Sequence, residues 1–179
     1  MRDEVGRETG NTSMVILGLD TSTRKGSLAL VRGDSVTAEA SGDSARTHSE
    51  RLPGDIQTLV AGAGLTLSDI DRFAVTVGPG PFTGLRVGIA TVQALALVHN
   101  RGIVPVSTLD AVARNRYDAT AGIERILVWM DAQRGEVFAG LYECTGAVAC
   151  LEGPRVGTPS DILSGWAEQL SARGICVTG

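Results

Sequence analysis

The chain has 179 residues, 43% hydrophobic and 20% charged, with a formal net charge of −4, enough apolar length to bury a core and too much for a disordered chain. Lysine occurs once, at Lys25, and aromatic residues make up 4%, so nucleic-acid binding by this chain alone lacks both its basic stripe and its stacking platforms. Cys144, Cys150 and Cys176 form no C-x-x-C pair, and three thiols cannot all pair within one chain, which reads as reduced cysteines in a cytoplasmic protein.

Residues 1–13 are polar and lack an apolar core, so they read as an extension, neither signal peptide nor membrane anchor, with Met14 an equally good start for the folded part. No run reaches the roughly 18 uninterrupted apolar residues of a membrane span, and the expectation is a soluble protein with no membrane partner. Val15-Ile16-Leu17-Gly18-Leu19-Asp20 predicts a buried strand ending on an aspartate, with Thr21 to Gly26 as the turn after it. Residues 27–32 and 35–41 predict two more strands around a hairpin loop from Arg32 to Ser35. Thr47-His48-Ser49-Glu50 offers a helix start, and Leu52, Ile56, Leu59, Val60 and Ala63 keep helical spacing up to the Gly62 and Gly64 stop. Pro53 falls in the first turns, where a missing amide is tolerated.

Leu67 to Asp71 is a short polar approach to a strand over Phe73 to Val77, which runs into Gly78-Pro79-Gly80-Pro81-Phe82-Thr83-Gly84-Leu85-Arg86. A helix from Thr83 to His99 follows, then a strand from Ile103 to Val106 and a helix starting near Ser107. Three strands, helix, strand, helix, strand, helix suits a mixed sheet whose first strands form hairpins and whose later ones run parallel between helices. The second half restarts the pattern. Ile126 to Asp131 is a buried strand ending on an aspartate, then come the turn Ala132 to Gly135, strands over Glu136 to Glu143 and Ala147 to Leu151, a helix from Ser160 to Ser171 and a strand from Ile175 to Thr178. The repeat of topology predicts two related lobes, residues 14–118 and 119–179, the second partial because the chain ends after its fourth strand.

Asp20 and Asp131 close equivalent strands, and carboxyl ends of strands line ligand crevices in such folds. Two readings stand: a pair of carboxylates ordering metal and phosphate across a cleft, or two side chains that each cap a turn by accepting backbone amides. The loop from Gly78 to Gly84 precedes a helix amino terminus and so invites a phosphate. Against this, Pro79 and Pro81 lack amide donors, and Leu85 and Arg86 stand where a P-loop needs lysine and a hydroxyl; a structural turn is the other reading.

The helix behind that loop is apolar nearly all round, with Leu85, Ile89, Val92, Leu95 and Ala96 on one face and Val87, Ala90, Ala94 and Val98 on another. Such a helix needs cover on more than one side, from a partner chain or from within its own domain. Gly84 and Gly88, one turn apart, would let a second helix approach closely. The two histidines, His48 and His99, are too far apart for a metal pair on one helix. No G-x-S-x-G elbow and no cysteine–histidine dyad is present, and a lone lysine in a turn disfavours Schiff-base chemistry.

Several blocks of the chain, in order, resemble the TsaB (YeaZ) family of bacterial tRNA threonylcarbamoyladenosine synthesis. They are Ile16-Leu17-Gly18-Leu19-Asp20-Thr21-Ser22-Thr23, Thr47-His48-Ser49-Glu50-Arg51-Leu52, Gly78-Pro79-Gly80 with Phe82-Thr83-Gly84-Leu85-Arg86-Val87-Gly88, Val106-Ser107-Thr108-Leu109, and Asp131-Ala132-Gln133-Arg134-Gly135-Glu136-Val137-Phe138. The resemblance spans residues 14–179 and implies an α/β, actin-like ATPase (ASKHA, ribonuclease H-like) fold of two lobes, each a mixed sheet flanked by helices. It implies a subunit without catalytic residues of its own, which dimerises with the paralogue TsaD and activates threonylcarbamoyl transfer to the adenosine beside the anticodon, with the ATPase TsaE joining the pair and tRNA reached only through the complex.

The family pairs, with TsaD or with itself, through the two helices over residues 48–62 and 83–99. On this chain that surface is read as Leu52, Ile56, Leu59, Leu85, Gly88, Ile89, Val92 and Ala96. Family members usually carry serine where this chain has Pro81. The alternative is an ATP-binding or catalytic paralogue, a TsaD-like transferase or an M22-type glycoprotease. A TsaD-like site needs an H-x-x-x-H pair that this sequence lacks, and a nucleotide reading, with ATP or ADP and Mg at a shared complex interface, rests on Asp20, Thr21 and Asp131.

Overall fold

The computed structural model describes residues 14–171 and 174–179. Strands β1 (Val15–Asp20), β2 (Ser27–Arg32) and β3 (Ser35–Ser41) come first, then helix α1 (His48–Gly62), a 3-10 turn at Leu67–Asp69, strand β4 (Arg72–Gly78), helix α2 (Phe82–His99), strand β5 (Gly102–Ser107) and helix α3 (Thr108–Asp118). The remainder adds β6 (Arg125–Gln133), β7 (Glu136–Cys144), β8 (Val148–Gly157), the short helices α4 (Pro159–Gly165) and α5 (Ala167–Leu170), and β9 (Ile175–Thr178).

Two mixed sheets result, in the orders β3-β2-β1-β4-β5 and β8-β7-β6-β9. In the first, β1 pairs antiparallel with β2 and parallel with β4, and β4 runs parallel to β5. In the second, β6 pairs antiparallel with β7 and parallel with β9. Strands joined by hairpins run antiparallel, and those joined through a helix run parallel, because a parallel connection needs a crossover. This is the actin-like ATPase fold expected from the sequence.

Alternation along β1 decides which sheet face is covered. Val15, Leu17 and Leu19 are buried, while Ile16, Gly18 and Asp20 are half-buried. The first set meets Leu28 and Leu30 of β2, Phe73 and Val75 of β4, Leu52, Ile56, Leu59 and Val60 of α1, and Val92 and Ala96 of α2 in one core. Both α1 and α2 therefore lie on the same face of the first sheet. The helix α3 follows β5 in sequence but gives its apolar residues to the second sheet, where Leu109 and Ala113 pack with Ile126, Val128, Tyr142 and Cys144. Tyr142 donates to Asp110 Oδ1 at 2.7 Å. Burial first, then that carboxylate, pushes the phenol well above the ordinary tyrosine range.

Element boundaries depart furthest from expectation in two places. The helix expected over Ser160 to Ser171 is broken at Trp166 (φ −119°, ψ 16°) between α4 and α5. Trp166 is fully buried against Leu127, Val137, Ala139, Leu141 and Ile162, and seating the indole there outweighs continuing a polar helix. The strand β8, expected to stop at Leu151, runs to Gly157 with register shifts opposite β7. Gly153 and Pro154 read locally as a stop, but the irregular pairing carries the strand past them.

Candidate functional site

Buried polar groups concentrate at the turn between β1 and β2. Asp20 Oδ1 accepts from Ser22 N at 2.9 Å, from Ser22 Oγ at 2.5 Å and from Thr76 Oγ1 at 2.8 Å. Thr76 Oγ1 in turn accepts from Thr21 N at 3.4 Å. An aspartate that accepts the amide two residues on builds a turn from its own side chain, and Thr76, on the neighbouring strand, pins that turn to the sheet. Sequence reading did not single out Thr76; its signal is a hydroxyl inside the apolar run Phe73 to Val77.

Asp131 behaves in the same way, with Oδ1 accepting from Gln133 N at 2.8 Å and Oδ2 from Gln133 Nε2 at 3.3 Å. The turn beyond it holds Gln133, Arg134 and Gly135 all at positive φ. Both aspartates are thus engaged by their own turns, the arrangement of the second reading. Among the described residues, no three His, Cys, Asp or Glu side chains come together as a metal site.

The start of α1 clasps the same β1–β2 turn. Thr47 and Glu50 form a capping box, with Glu50 Oε2 accepting from Thr47 N at 2.8 Å and from Thr47 Oγ1 at 2.7 Å. These bonds, the hydroxyl's first, hold the Glu50 carboxyl below its usual range. One turn on, Arg51 is 3% exposed. Its guanidinium donates to Asp55 Oδ2 at 2.6 Å, to the carbonyl of Lys25 and to His48 Nδ1 at 2.9 Å. With Nδ1 accepting, His48 Nε2 carries the proton and donates to the carbonyl of Thr23 at 2.9 Å. Arg51 was visible in the sequence only as part of the Thr47–Leu52 block. Arg51→Met keeps the stem but leaves these acceptors without their donor, and we expect it to lower stability by about 2 kcal/mol, measured as a shift in urea midpoint.

Glycines on α2 and its approach loop receive the turn from the other side. A Cβ at Gly80 would stand 3.0 Å from Ser22, one at Gly84 would stand 2.4 Å from the carbonyl oxygen of Thr21, and one at Gly88 would stand 2.2 Å from Thr21 Oγ1. The close neighbour that Gly84 and Gly88 admit is therefore the chain's own β1–β2 turn, where the sequence had suggested a second helix. At 3.6 residues per turn, these glycines share one helix face, and Thr21, 1% exposed, fills the groove they leave.

That packing fixes which way α2 faces. Gly88, Val92 and Ala96, read from the sequence as partner-facing, are buried inside the lobe, as are Leu52, Ile56 and Leu59 of α1. Leu85 and Ile89 are half-buried at the border. These residues build the core because both helices lean on one sheet face, and a side chain that packs inward is not free to meet a partner. The outward face carries Phe82 (72% exposed), Ala90, Ala94, Leu97 (83%) and Val98 (77%), with the polar Thr83, Arg86 and Gln93 among them. The Arg86 guanidinium lies 5.3 Å from the centre of the Phe82 ring. By length and composition alone α2 is apolar enough to cross a membrane, with a mean hydropathy of 1.3 over 18 residues; one of its faces packs on the sheet.

A family model described as TsaD, tRNA N6-adenosine threonylcarbamoyltransferase, matches residues 41–173. The tRNA threonylcarbamoyladenosine biosynthesis protein TsaB of Escherichia coli (strain K12) is 36% identical over 130 residues, covering 73% of this chain and 55% of that protein. The protein of the same name from Bacillus subtilis (strain 168) is 32% identical over 160 residues, covering 89% of this chain and 67% of the relative. The chain spans about half to two thirds of the length of the curated relatives it matches. Among solved structures, YeaZ from Pseudomonas aeruginosa superposes with a TM-score of 0.74 at 29% identity, covering 93% of this chain and 84% of that one. Sequence blocks, sheet order and relatives converge, and the chain belongs to the TsaB (YeaZ) family.

Proposed function

We propose that this chain serves tRNA threonylcarbamoyladenosine biosynthesis as a partner subunit that contributes no catalytic residue. It pairs with TsaD through the outward face of α2 and activates threonylcarbamoyl transfer to the adenosine beside the anticodon, with TsaE joining the pair and tRNA engaged through the complex. The observation that carries this reading, beyond family membership, is the run Phe82, Ala90, Ala94, Leu97 and Val98 along one exposed helix face. Large apolar side chains held exposed on one helix face, here interspersed with Arg86 and Gln93, favour an interaction site. The same face serves a homodimer when TsaD is absent, and the two pairings compete.

Purified chain mixed with TsaD, TsaE, threonylcarbamoyl adenylate and unmodified tRNA should raise modified adenosine well above the level reached without it. Equal modification in its absence would sink the proposal. Tight stoichiometric binding of ATP with magnesium to the chain alone, measured by calorimetry, would favour the ATP-binding paralogue instead.

A further inference from the structure

Arg86 is the only charged side chain on the outward face of α2. It follows Phe82 by one helical turn, and its guanidinium lies against the Phe82 ring, 5.3 Å from the centre. Stacking of this kind holds a guanidinium by its flat face and leaves its N–H edge open to an acceptor.

The surroundings of Arg86 supply no anion for that edge. From Arg72 to Leu109 the sequence holds no Asp or Glu, so α2, the loops at its two ends and β5 offer no carboxylate. Of the other arginines in that stretch, Arg72 donates to the carbonyl of Asp71 at 2.8 Å and Arg101 to that of Ser68 at 3.1 Å. The ion pairs among the described residues, Arg51–Asp55, Arg114–Asp118 and Arg155–Glu152, do not include Arg86. On α1, which packs beside α2, the carboxylate of Glu50 is taken up by Thr47 and that of Asp55 by Arg51.

This charge pattern bears on what can be seated on the face. Burying it between two proteins takes water from the guanidinium, and an arginine left without an anion in a packed contact is strongly unfavourable. A second copy brings another Arg86 and no free carboxylate on its own α2. A different protein can bring one. We propose that Arg86 is the specificity-determining residue of this interface: it donates its N–H edge to an Asp or Glu of TsaD, and because a second copy has no such group to offer, pairing with TsaD is tighter than self-pairing. The inference rests on the outward face of α2 being the contact with TsaD, and it adds the rule by which that face chooses between its two occupants. The apolar residues Phe82, Ala90, Ala94, Leu97 and Val98 suit either occupant, and Arg86 suits one.

The test measures two equilibria, pairing with TsaD by titration calorimetry and self-association by sedimentation equilibrium, for the parent chain, Arg86→Gln and Arg86→Glu. Arg86 is exposed, so both variants should fold, which circular dichroism checks. Arg86→Gln should weaken pairing with TsaD about tenfold, and Arg86→Glu about a hundredfold, since like charges then face each other. The salt dependence of pairing should flatten in Arg86→Gln. Self-association should move the other way and tighten in Arg86→Gln, because two unpaired charges leave the contact. A merely structural role for Arg86 would weaken both equilibria together. Equal weakening of the two, or unchanged pairing with TsaD in both variants, would overturn the assignment. Leu97→Asp separates that failure from failure of the interface itself. If Leu97→Asp also leaves pairing unchanged, the contact lies elsewhere and the role of Arg86 falls with it; if Leu97→Asp weakens pairing while both Arg86 variants do not, the face stands and the role of Arg86 alone falls.

Discussion

Gly88→Ala should lower the melting temperature of this chain by about 5 °C, whereas Gly54→Ala should raise it slightly. Both glycines lie inside helices, and in an exposed helix the exchange to alanine stabilises by about 1 kcal/mol. At Gly54 nothing lies within 4 Å of the added methyl group, so that gain is realised. At Gly88 the methyl group would stand 2.2 Å from Thr21 Oγ1 and 3.1 Å from its Cγ2. The turn that holds Thr21 is pinned by Asp20 and Thr76 and gives way poorly, so overpacking of about 1–3 kcal/mol outweighs the propensity gain. The double variant Gly88→Ala with Thr21→Ala should recover most of the loss, since Thr21 Oγ1 makes no hydrogen bond among the described residues that its removal would forfeit. Thermal unfolding of these three variants and of Thr21→Ala alone measures both signs and the coupling. A Gly88→Ala protein as stable as the parent would mean that α2 does not rest on the β1–β2 turn.

The second large effect separates folding from pairing on a single helix. Leu97→Asp changes a side chain that is 83% exposed and should leave the folded chain within about 0.5 kcal/mol of the parent. If the outward face of α2 is the interface, the same change should weaken pairing with TsaD about thirtyfold or more, because a charge must then enter a packed apolar contact. Phe82→Asp, on the same face, should do likewise. Val92→Asp is the contrast. Val92 is fully buried between α2 and the sheet, so the carboxylate has no partner and the lobe should unfold. Circular dichroism reports folding and size-exclusion chromatography with TsaD reports pairing. Retained pairing in both Leu97→Asp and Phe82→Asp would place the partner on another face.

Much of the first lobe was legible because its signals are local. The apolar run ending at Asp20, the hairpin around Gly33 and Asp34, and the Thr47–Glu50 helix start each rest on residues a few positions apart, and the structure places β1, β2, β3 and α1 there. The same holds for the restart at Ile126 and for the two aspartates as turn-forming groups. The helix over Ser160 to Ser171 and the short β8 misread for one reason. Local propensity argued for both, and the burial of Trp166 and the irregular pairing of β8 with β7 overrode it.

By itself, then, the sequence determined the order and type of most elements, the antiparallel or parallel sense of each connection, and a surplus of apolar surface on α2. These follow from periodicity, turn chemistry and connection length, all of which act over short stretches of chain. Which face of α2 turns inward was decided by tertiary structure alone. A helix apolar on nearly every side carries no moment to point it, and the choice fell to contacts between residues far apart in sequence: Gly88 against Thr21, Val92 against the sheet, and Thr76 holding the Asp20 turn. Those contacts placed Val92 and Ala96 in the core and left Phe82, Leu97 and Val98 outside.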